Sequence, residues 1–141
     1  MSLKPNSLLY EEIKIGDIFS FEYFVDESTV FKFAELTGDF NPLHMDESYA
    51  KETLFGGRIV HGMLLAGLFS TLVGMLCPGE RALYLSQDIS FRNPLFLGKK
   101  IKVEGKVLSK FDGINVLEIK TLIKDLEGNI FVDGLAKIKV R

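Results

Sequence analysis

The sequence is poor in cysteine, histidine and net charge, and it contains no tryptophan. Its 141 residues include one cysteine, two histidines and four prolines. The single cysteine, Cys77, excludes an internal disulfide framework and fits a reducing compartment such as the cytoplasm. The formal net charge of -2 provides no basic surface of the kind that binds nucleic acid or an anionic membrane. No charged stretch followed by an apolar run opens the chain, so we expect no signal peptide.

Length and hydrophobic content are typical of one globular domain. With 141 residues, 47% of them hydrophobic, the chain is long enough to bury a single core. The sequence has no internal repeat, no low-complexity tract and no segment with the composition of a linker. We therefore predict a single domain over residues 1–141.

One long apolar run stands out from this ordinary composition. Residues 59–77, IVHGMLLAGLFSTLVGMLC, contain no side chain that is formally charged at pH 7. The run nearly reaches the roughly 20 residues of a membrane-spanning helix, but an all-apolar helix can equally form the buried centre of a soluble fold. His61, the glycines and the amphipathic segments around the run favour the buried helix. We predict that the protein does not associate with a membrane.

The first third of the sequence predicts one strand and two short helices. Residues 13–25, which include a turn at Gly16, are rich in aromatic residues and predict a strand. Asp26 is a candidate N-cap for a helix that runs through Leu36, and Gly38 is suited to its C-terminus. Asp46 is a candidate N-cap for a second short helix, which precedes the apolar run. Pro78 and Gly79 are expected to end the apolar run.

The second half of the sequence alternates between apolar and polar residues, as antiparallel strands with one face in water do. The apolar positions fall into three sets, Leu85, Ile89 and Phe91, then Ile101, Val103 and Val107, then Leu117, Ile119 and Ile123. A turn at residues 125–129 leads into a last strand at 130–140. The order of these elements predicts an α+β fold in which an antiparallel sheet covers one long buried helix.

The segment LTGDFNPLHMD, residues 36–46, places an acid and an imidazole around a rigid turn. Asp39 and His44 are suited to general acid–base catalysis. Pro42 fixes its own φ and pushes Asn41 towards extended geometry, and the Asn41 side chain can stiffen the turn with a hydrogen bond. An ordinary polar turn accounts for this spacing at least as well, so both interpretations stay open on the pattern alone.

A second candidate is the glycine-rich entry to the apolar helix, GGRIVHGM, residues 56–63. The N-terminus of a helix presents free N–H groups and a positive dipole end, which stabilise a developing oxyanion. We nominate the backbone amide of Gly62 for this role, with close packing as the alternative. Close packing is the expectation for Gly67 and Gly74. His61 is expected to be a structural residue near the start of the helix.

A metal site is also conceivable, because histidine and carboxylate are common ligands. The candidates are His44, Asp46 and His61, but their spacing matches no recognised zinc motif and no further His or Cys ligand lies nearby. We therefore predict neither a metal nor another cofactor. Cys77 has no adjacent base and is expected to be a small buried apolar residue.

The run FAELTGDFNPLHMDESYA, residues 33–50, resembles the signature segment of the MaoC-like dehydratases, which include the (R)-specific enoyl-CoA hydratases. The family pattern is an aromatic residue, Ser or Thr before Gly-Asp, a variable residue, Asn-Pro, an aliphatic residue, His and a small residue. Every position is matched here, by Phe33, Thr37, Gly38, Asp39, Asn41, Pro42, Leu43, His44 and Ala50. GGRIVHGMLLAGLF and FRNPLFLGKKIKV also resemble later segments of the family, so the similarity spans about residues 12–110.

This resemblance implies a hotdog fold, an antiparallel sheet wrapped around a long central helix. It also implies reversible hydration of trans-2-enoyl thioesters, of coenzyme A or acyl carrier protein, to (R)-3-hydroxyacyl thioesters. Asp39 and His44 would form the catalytic pair, Asn41 would orient the water or the carboxylate, and the Gly62 amide would meet the charge on the thioester oxygen. A homodimer is implied as well. Gly67 stands where some family members carry a serine near the substrate.

Two matters stay open in the sequence. Arg58, Arg92, Lys99 and Lys100 are positioned to attract a coenzyme A phosphate, but they are equally well explained as solvated surface charges. The alternative functions are a hotdog thioesterase and a non-catalytic protein that binds acyl thioesters. A thioesterase would need a carboxylate on the long helix, where residues 59–77 contain none. A binding protein would not require both Asp39 and His44.

Overall fold

An antiparallel sheet provides the frame of the fold in the computed structural model, which describes residues 3–141. Its six strands are β1 Ile18–Val25, β2 Ala82–Gln87, β3 Ser90–Phe91, β4 Lys99–Phe111, β5 Val116–Lys124 and β6 Ile130–Val140. Their spatial order is β1-β4-β5-β6-β2, and the short β3 also pairs with β6. Strands β4, β5 and β6 form the meander that the sequence pattern predicts.

The helices lie in the two segments that separate the strands. They are α1 Glu27–Thr37, α2 Pro42–Met45, α3 Glu47–Lys51 and α4 Gly62–Thr71, preceded by a short 3-10 turn at Tyr10–Glu12. Helix α4 continues into a wider π-type turn at Leu72–Leu76. The buried side chains of this continuous segment, among them Phe69 and Leu72, pack against residues of β4 and β5 in the core. Within residues 3–141, no helix is both long and apolar enough to cross a membrane.

Strands β4 and β5 confirm the alternation read from the sequence. Ile101, Val103 and Val107 of β4 and Leu117, Ile119 and Ile123 of β5 are all 0% exposed. Burying an aliphatic side chain of this size stabilises a fold by about 1.5–3 kcal/mol. The predicted turn at 125–129 is also present, and the Asp125 carboxylate accepts the N–H groups of Glu127 and Asn129. The pattern therefore places these strands correctly, with their apolar face on the core.

The prediction for residues 85–91 is wrong for Leu85 and Phe91 and for the continuity of the strand, whereas Ile89 does pack against the core. Leu85 and Phe91, expected on the buried face, are 53% and 55% exposed, and the strand is interrupted between β2 and β3. The interruption occurs at Asp88, whose carboxylate accepts the Leu135 N–H at 2.9 Å. Gly134 permits this approach, because a Cβ there would lie 1.9 Å from the Asp88 carbonyl oxygen. Since β2 also lies at the edge of the sheet, its side chains lack neighbours on one side.

The apolar run is helical over a shorter stretch than predicted. Before Gly62 the backbone is extended, because Ile59 forms a bridge with Phe96 and the Val60 N–H donates to the Leu95 carbonyl at 2.8 Å. The packing role expected for two glycines of the run is wrong, since a Cβ at Gly67 or Gly74 would meet nothing within 4 Å.

Cys77, at the end of the apolar run, is the small buried residue that the sequence predicts. It is a free cysteine and 3% exposed. Burial raises the pKa of its thiol to about 12, which keeps the sulfur protonated and unreactive at neutral pH.

Candidate active site

Asp39 occupies a fixed position just beyond the end of α1. The helix ends at Gly38, which has a left-handed φ of 84° and donates its N–H to the Ala34 carbonyl at 2.8 Å. The Thr37 hydroxyl donates to the Phe33 carbonyl at 2.8 Å and accepts the Asp39 N–H at 3.3 Å. These bonds join the Asp39 main chain to the last turn of the helix.

Asn41 and Pro42 then start the single turn of α2. The Asn41 N–H donates to Asp39 Oδ1 at 3.2 Å, and its own Oδ1 accepts the Leu43 N–H at 3.0 Å as the N-cap. Pro42 stands at the start of the helix, where its missing N–H breaks no bond. The predicted stiff turn is therefore a capped helical turn, and it orients both the Asp39 carboxylate and His44.

His44 is held in one tautomer by a carbonyl group. Its Nδ1 lies 2.8 Å from the Ile59 carbonyl oxygen, which can only accept a hydrogen bond. In the neutral ring Nδ1 therefore carries the proton and Nε2 offers a lone pair. Arg58 supports this arrangement, since its Nε donates to the His44 carbonyl at 2.7 Å and its other end pairs with Glu27 at 2.7 Å.

His61, which directly precedes α4, contacts both Asp39 and His44. Its side chain is 2% exposed, and its ring contacts those of His44 and Phe33 at centroid distances of 4.0 Å and 4.8 Å. Nε2 of His61 is 3.0 Å from the Asp39 carbonyl oxygen and 3.9 Å from Asp39 Oδ2. Sequence reasoning missed this contact, which spans 22 residues. The available signal was that His61 is the second of only two histidines and directly precedes Gly62.

A pocket of about 410 Å³ opens over this cluster. Asp39, His44, His61, Arg92 and Asn93 contribute polar side chains to its lining, and Gly62 contributes main chain. The rest of the lining is mainly apolar and includes Phe55, Val60, Leu65, Phe91, Leu95 and Phe131. Its size lies in the usual range for small-molecule sites, and an apolar cavity with a few polar groups at one place is suited to a ligand with an acyl chain and one reactive end.

Gly62 lines this pocket as the first residue of α4. Among residues 3–141 its N–H has no backbone acceptor, as is usual for the first turn of a helix. A Cβ at this position would lie 2.7 Å from Cε1 of Phe91. The packing interpretation of Gly62 is therefore seen directly, while the oxyanion role of its amide stays a prediction.

Three of the four cations that the sequence singles out are paired with a carboxylate. Arg58 pairs with Glu27 at 2.7 Å, and its side chain is only 11% exposed. Arg92, which lines the pocket, pairs with Asp133 at 3.0 Å, and Lys100 pairs with Glu22 at 2.6 Å. Lys99 and Lys100 line a neighbouring groove. Binding of a coenzyme A phosphate by these residues stays a prediction, and Arg58 has the least freedom for it.

The three metal-ligand candidates from the sequence, His44, Asp46 and His61, do not form one group in the described part of the chain. Asp46 caps α3 instead, where its carboxylate accepts the Tyr49 N–H at 3.0 Å. Asp39, His44 and His61 do offer ligand atoms within 4.8 Å of one another. The His44 and His61 rings are tilted by 31° to each other. The expectation that the protein holds no metal stays a prediction.

The stability of the fold is expected to depend on the protonation of His61. Burial is the main cause that lowers its pKa from the ordinary 6.5, with a smaller contribution from His44 against the opposing effect of Asp39. The unfolded chain thus takes up this proton at a higher pH than the folded protein. The resulting stabilisation is complete above about pH 6.5 and is lost as the pH falls through the folded pKa.

Urea unfolding between pH 7.5 and 5 measures this dependence. We expect the free energy of unfolding to decrease on acidification, and to decrease less in His61→Gln, which has no imidazole at this position. An equal decrease in the two proteins would contradict the assignment.

Comparison with known proteins identifies the family of the chain. The model of the MaoC-like domain family matches residues 12–127. The chain belongs to the MaoC-like domain family. The family resemblance read from residues 33–50 is thereby confirmed.

The relatives of this MaoC-like chain include a hydratase and a dehydratase. An (R)-specific enoyl-CoA hydratase of Aeromonas caviae is 42% identical over 108 residues, which cover 77% of this chain and 81% of that protein. A 3-hydroxybutyryl-CoA dehydratase of Methylorubrum extorquens is 40% identical over 100 residues, which cover 71% of this chain and 64% of that protein. Both names describe hydro-lyases, which confirms the enzyme class expected for this MaoC-like chain.

Solved structures of R-hydratases have the same fold. The (R)-hydratase of A. caviae has a TM-score of 0.90 at 36% identity, with 93% of this chain and 99% of that chain covered. An R-hydratase of Pseudomonas aeruginosa in its unliganded form has a TM-score of 0.91 at 35% identity, with 96% and 87% covered. The α+β hotdog fold expected from the sequence is confirmed.

Proposed function

We propose that the protein is an (R)-specific hydratase/dehydratase that adds water reversibly to trans-2-enoyl thioesters and yields (R)-3-hydroxyacyl thioesters. The observation that carries this proposal is the meeting of Asp39 and His44 in one apolar pocket. A carboxylate oxygen of Asp39 and a ring nitrogen of His44 lie within 4.8 Å of each other. One water molecule that donates a hydrogen bond to each group fits such a separation.

The acid–base pair accepts one proton from the water and donates one proton to the substrate. As the water oxygen attacks C3, the pair takes one of its protons, and the electron pair of the C2–C3 double bond shifts towards the thioester oxygen. C2 then receives a proton from the pair, which returns the site to its starting state. Asp39 as a carboxylate and His44 with a lone pair on Nε2 both suit the acceptor role, and they act as a coupled pair. Dehydration follows the same steps in reverse.

The charge that gathers on the thioester oxygen needs a donor. The Gly62 N–H is proposed for this role, because it lies at the N-terminus of α4 and has no acceptor in the main chain of residues 3–141. The positive end of the helix dipole favours negative charge at this place. A donor that is already oriented before the reaction stabilises the transition state more than solvent does.

Arg92 and Lys100 are proposed to attract the phosphates of a coenzyme A substrate. We expect Arg92→Gln to raise KM for crotonyl-CoA by about two- to five-fold with little change in kcat, since exposed ion pairs contribute only about 0.2–1 kcal/mol. The difference should shrink at high ionic strength, and Lys100→Gln should act in the same direction. Steady-state kinetics measure both, with the exposed Lys120→Gln as the control. An unchanged KM in both variants would identify these residues as ordinary surface charges.

We also propose that the protein forms a homodimer and resides in the cytoplasm. Strand β2 lies at the edge of the sheet and exposes Leu83 by 50%, Tyr84 by 37% and Leu85 by 53%. An apolar edge strand of this kind favours pairing with another chain, for which a second copy is the simplest candidate. Sedimentation velocity should give a dimer that Leu85→Lys weakens and that Leu36→Lys, on the exposed side of α1, leaves intact.

The cytoplasmic location is supported by the single buried cysteine.

Hydration of crotonyl-CoA tests the main proposal. Absorbance of the conjugated enoyl thioester should fall when the protein is added, and chiral analysis should identify the product as (R)-3-hydroxybutyryl-CoA. Release of free thiol would instead support a thioesterase. Saturable binding without turnover across enoyl thioesters of several lengths, on coenzyme A and on acyl carrier protein, would support the binding-protein alternative.

A further inference from the structure

His61 is enclosed by the groups that the proposed reaction uses. The rings of Phe33 in α1 and His44 in α2 contact its ring at centroid distances of 4.8 Å and 4.0 Å, and the Asp39 carbonyl oxygen lies 3.0 Å from its Nε2. The side chain is 2% exposed. The titratable groups that face it are thus Asp39 and His44. None of the chemical steps above uses His61, although it touches both members of the acid–base pair.

Hydrogen bonding fixes both the tautomer and the charge of His61. Because the Asp39 carbonyl oxygen can only accept, Nε2 of His61 carries a proton and donates it over 3.0 Å. The other nitrogen, Nδ1, is buried and has no hydrogen-bond partner among residues 3–141. A second proton on Nδ1 would be a buried donor without an acceptor, which is costly. His61 is therefore neutral.

The two stacked imidazoles consequently have opposite tautomers. His44 carries its proton on Nδ1 and His61 on Nε2, with ring centroids 4.0 Å apart. A cationic His61 would attract the Asp39 carboxylate, whose Oδ2 is 3.9 Å from Nε2, and would oppose a proton on His44. A neutral ring forms no ion pair with the carboxylate, which stays available to bind the water.

From this geometry, and given the proposed function, we propose that His61 is a positioning residue. Its neutral imidazole holds the Asp39 main chain through the Nε2–H and supports the His44 ring by stacking. The Asp39 loop is thereby tied to the start of α4, so the acid–base pair keeps a fixed relation to the Gly62 amide. His61 acts through these residues and not by transferring a proton itself.

Two variants separate the hydrogen bond from the bulk of the ring. His61→Phe keeps an aromatic ring for the stack but has no donor, whereas the Gln side chain can place an N–H close to the position of Nε2. We expect kcat for crotonyl-CoA hydration to fall about 100-fold in His61→Phe, as small displacements of reacting groups do, with KM within about two-fold. His61→Gln should recover most of this loss. Wild-type kcat in His61→Phe, or equal losses in both variants, would overturn the proposal.

Nitrogen NMR of the wild-type protein gives a test that does not depend on the folding of a His61 variant. Because the chain has two histidines, the ring signals are assigned with one further variant, His44→Gln. At pH 7 we expect His61 in the Nε2–H form and His44 in the Nδ1–H form. A cationic or Nδ1–H form of His61 would overturn the proposal. If the wild-type protein hydrates no enoyl thioester, the proposed function fails, while these tautomers still decide whether His61 holds Asp39.

Discussion

Replacing Asp39 by Asn is expected to lower kcat/KM for crotonyl-CoA hydration by about 10³-fold, within the range for loss of a general acid or base. The amide has nearly the same shape, and its oxygen can still accept the Asn41 N–H that now bonds to Asp39 Oδ1 at 3.2 Å. The loop should therefore persist while the charge and the basicity are lost. Stopped-flow or steady-state loss of enoyl absorbance measures the effect, and circular dichroism checks the fold.

His44→Gln tests whether the two groups work as one unit. We expect a similar loss from this single change, and no further large loss in the double variant, because residues that act together give non-additive effects. A double variant that loses the product of both factors would indicate two independent roles instead.

A matched control lies in the same segment. Asp46 is a second carboxylate close in sequence to His44, but it caps α3 through the Tyr49 N–H at 3.0 Å. Asparagine is an equally good N-cap, so Asp46→Asn should keep activity within about two-fold. Asp39→Asn with more than about a tenth of wild-type activity would contradict the assigned role, and so would an equal loss in the Asp46 variant.

The parts of the site that depend on local chemistry could be predicted from the sequence. Asp26 and Asp46 act as N-caps and Gly38 takes the left-handed conformation, because each feature depends on neighbours within a few residues. The Asp39–His44 segment was equally visible as a pattern, although its family match, and not its spacing, favoured the prediction of a catalytic loop over an ordinary turn. Alternation also located β4 and β5, which have paired strands on both sides.

The parts that depend on distant contacts could not be predicted. Asp39 and His61 meet across 22 residues, and no local pattern encodes a histidine that donates to a main-chain carbonyl. Alternation failed at Leu85 and Phe91 because β2 is an edge strand and Asp88 interrupts it against Gly134. Apolar residues at an unpaired edge face outwards as readily as inwards, so the same pattern has a different meaning there.

Gly62→Ala is expected to lower kcat by about 10²-fold, near the effect of losing one oxyanion donor. The substitution keeps the N–H itself, but its Cβ would lie 2.7 Å from Cε1 of Phe91. Either the Phe91 ring or the first turn of α4 has to move. A shift of the helix end by a fraction of an ångström misaligns the amide with the thioester oxygen, which affects the transition state more than substrate binding. Steady-state kinetics should therefore show the loss in kcat, with KM nearly unchanged.

The double variant Gly62→Ala/Phe91→Ala identifies the cause of this loss. Removing the ring relieves the clash, so kcat should recover to the level of Phe91→Ala alone if displacement of the amide caused the loss. Gly74→Ala is the control within the same helical segment, since a Cβ there meets nothing within 4 Å, and it should leave kcat unchanged. Wild-type kcat in Gly62→Ala would show that this glycine serves packing alone, and the proposed oxyanion donor would then have to be sought elsewhere in the pocket.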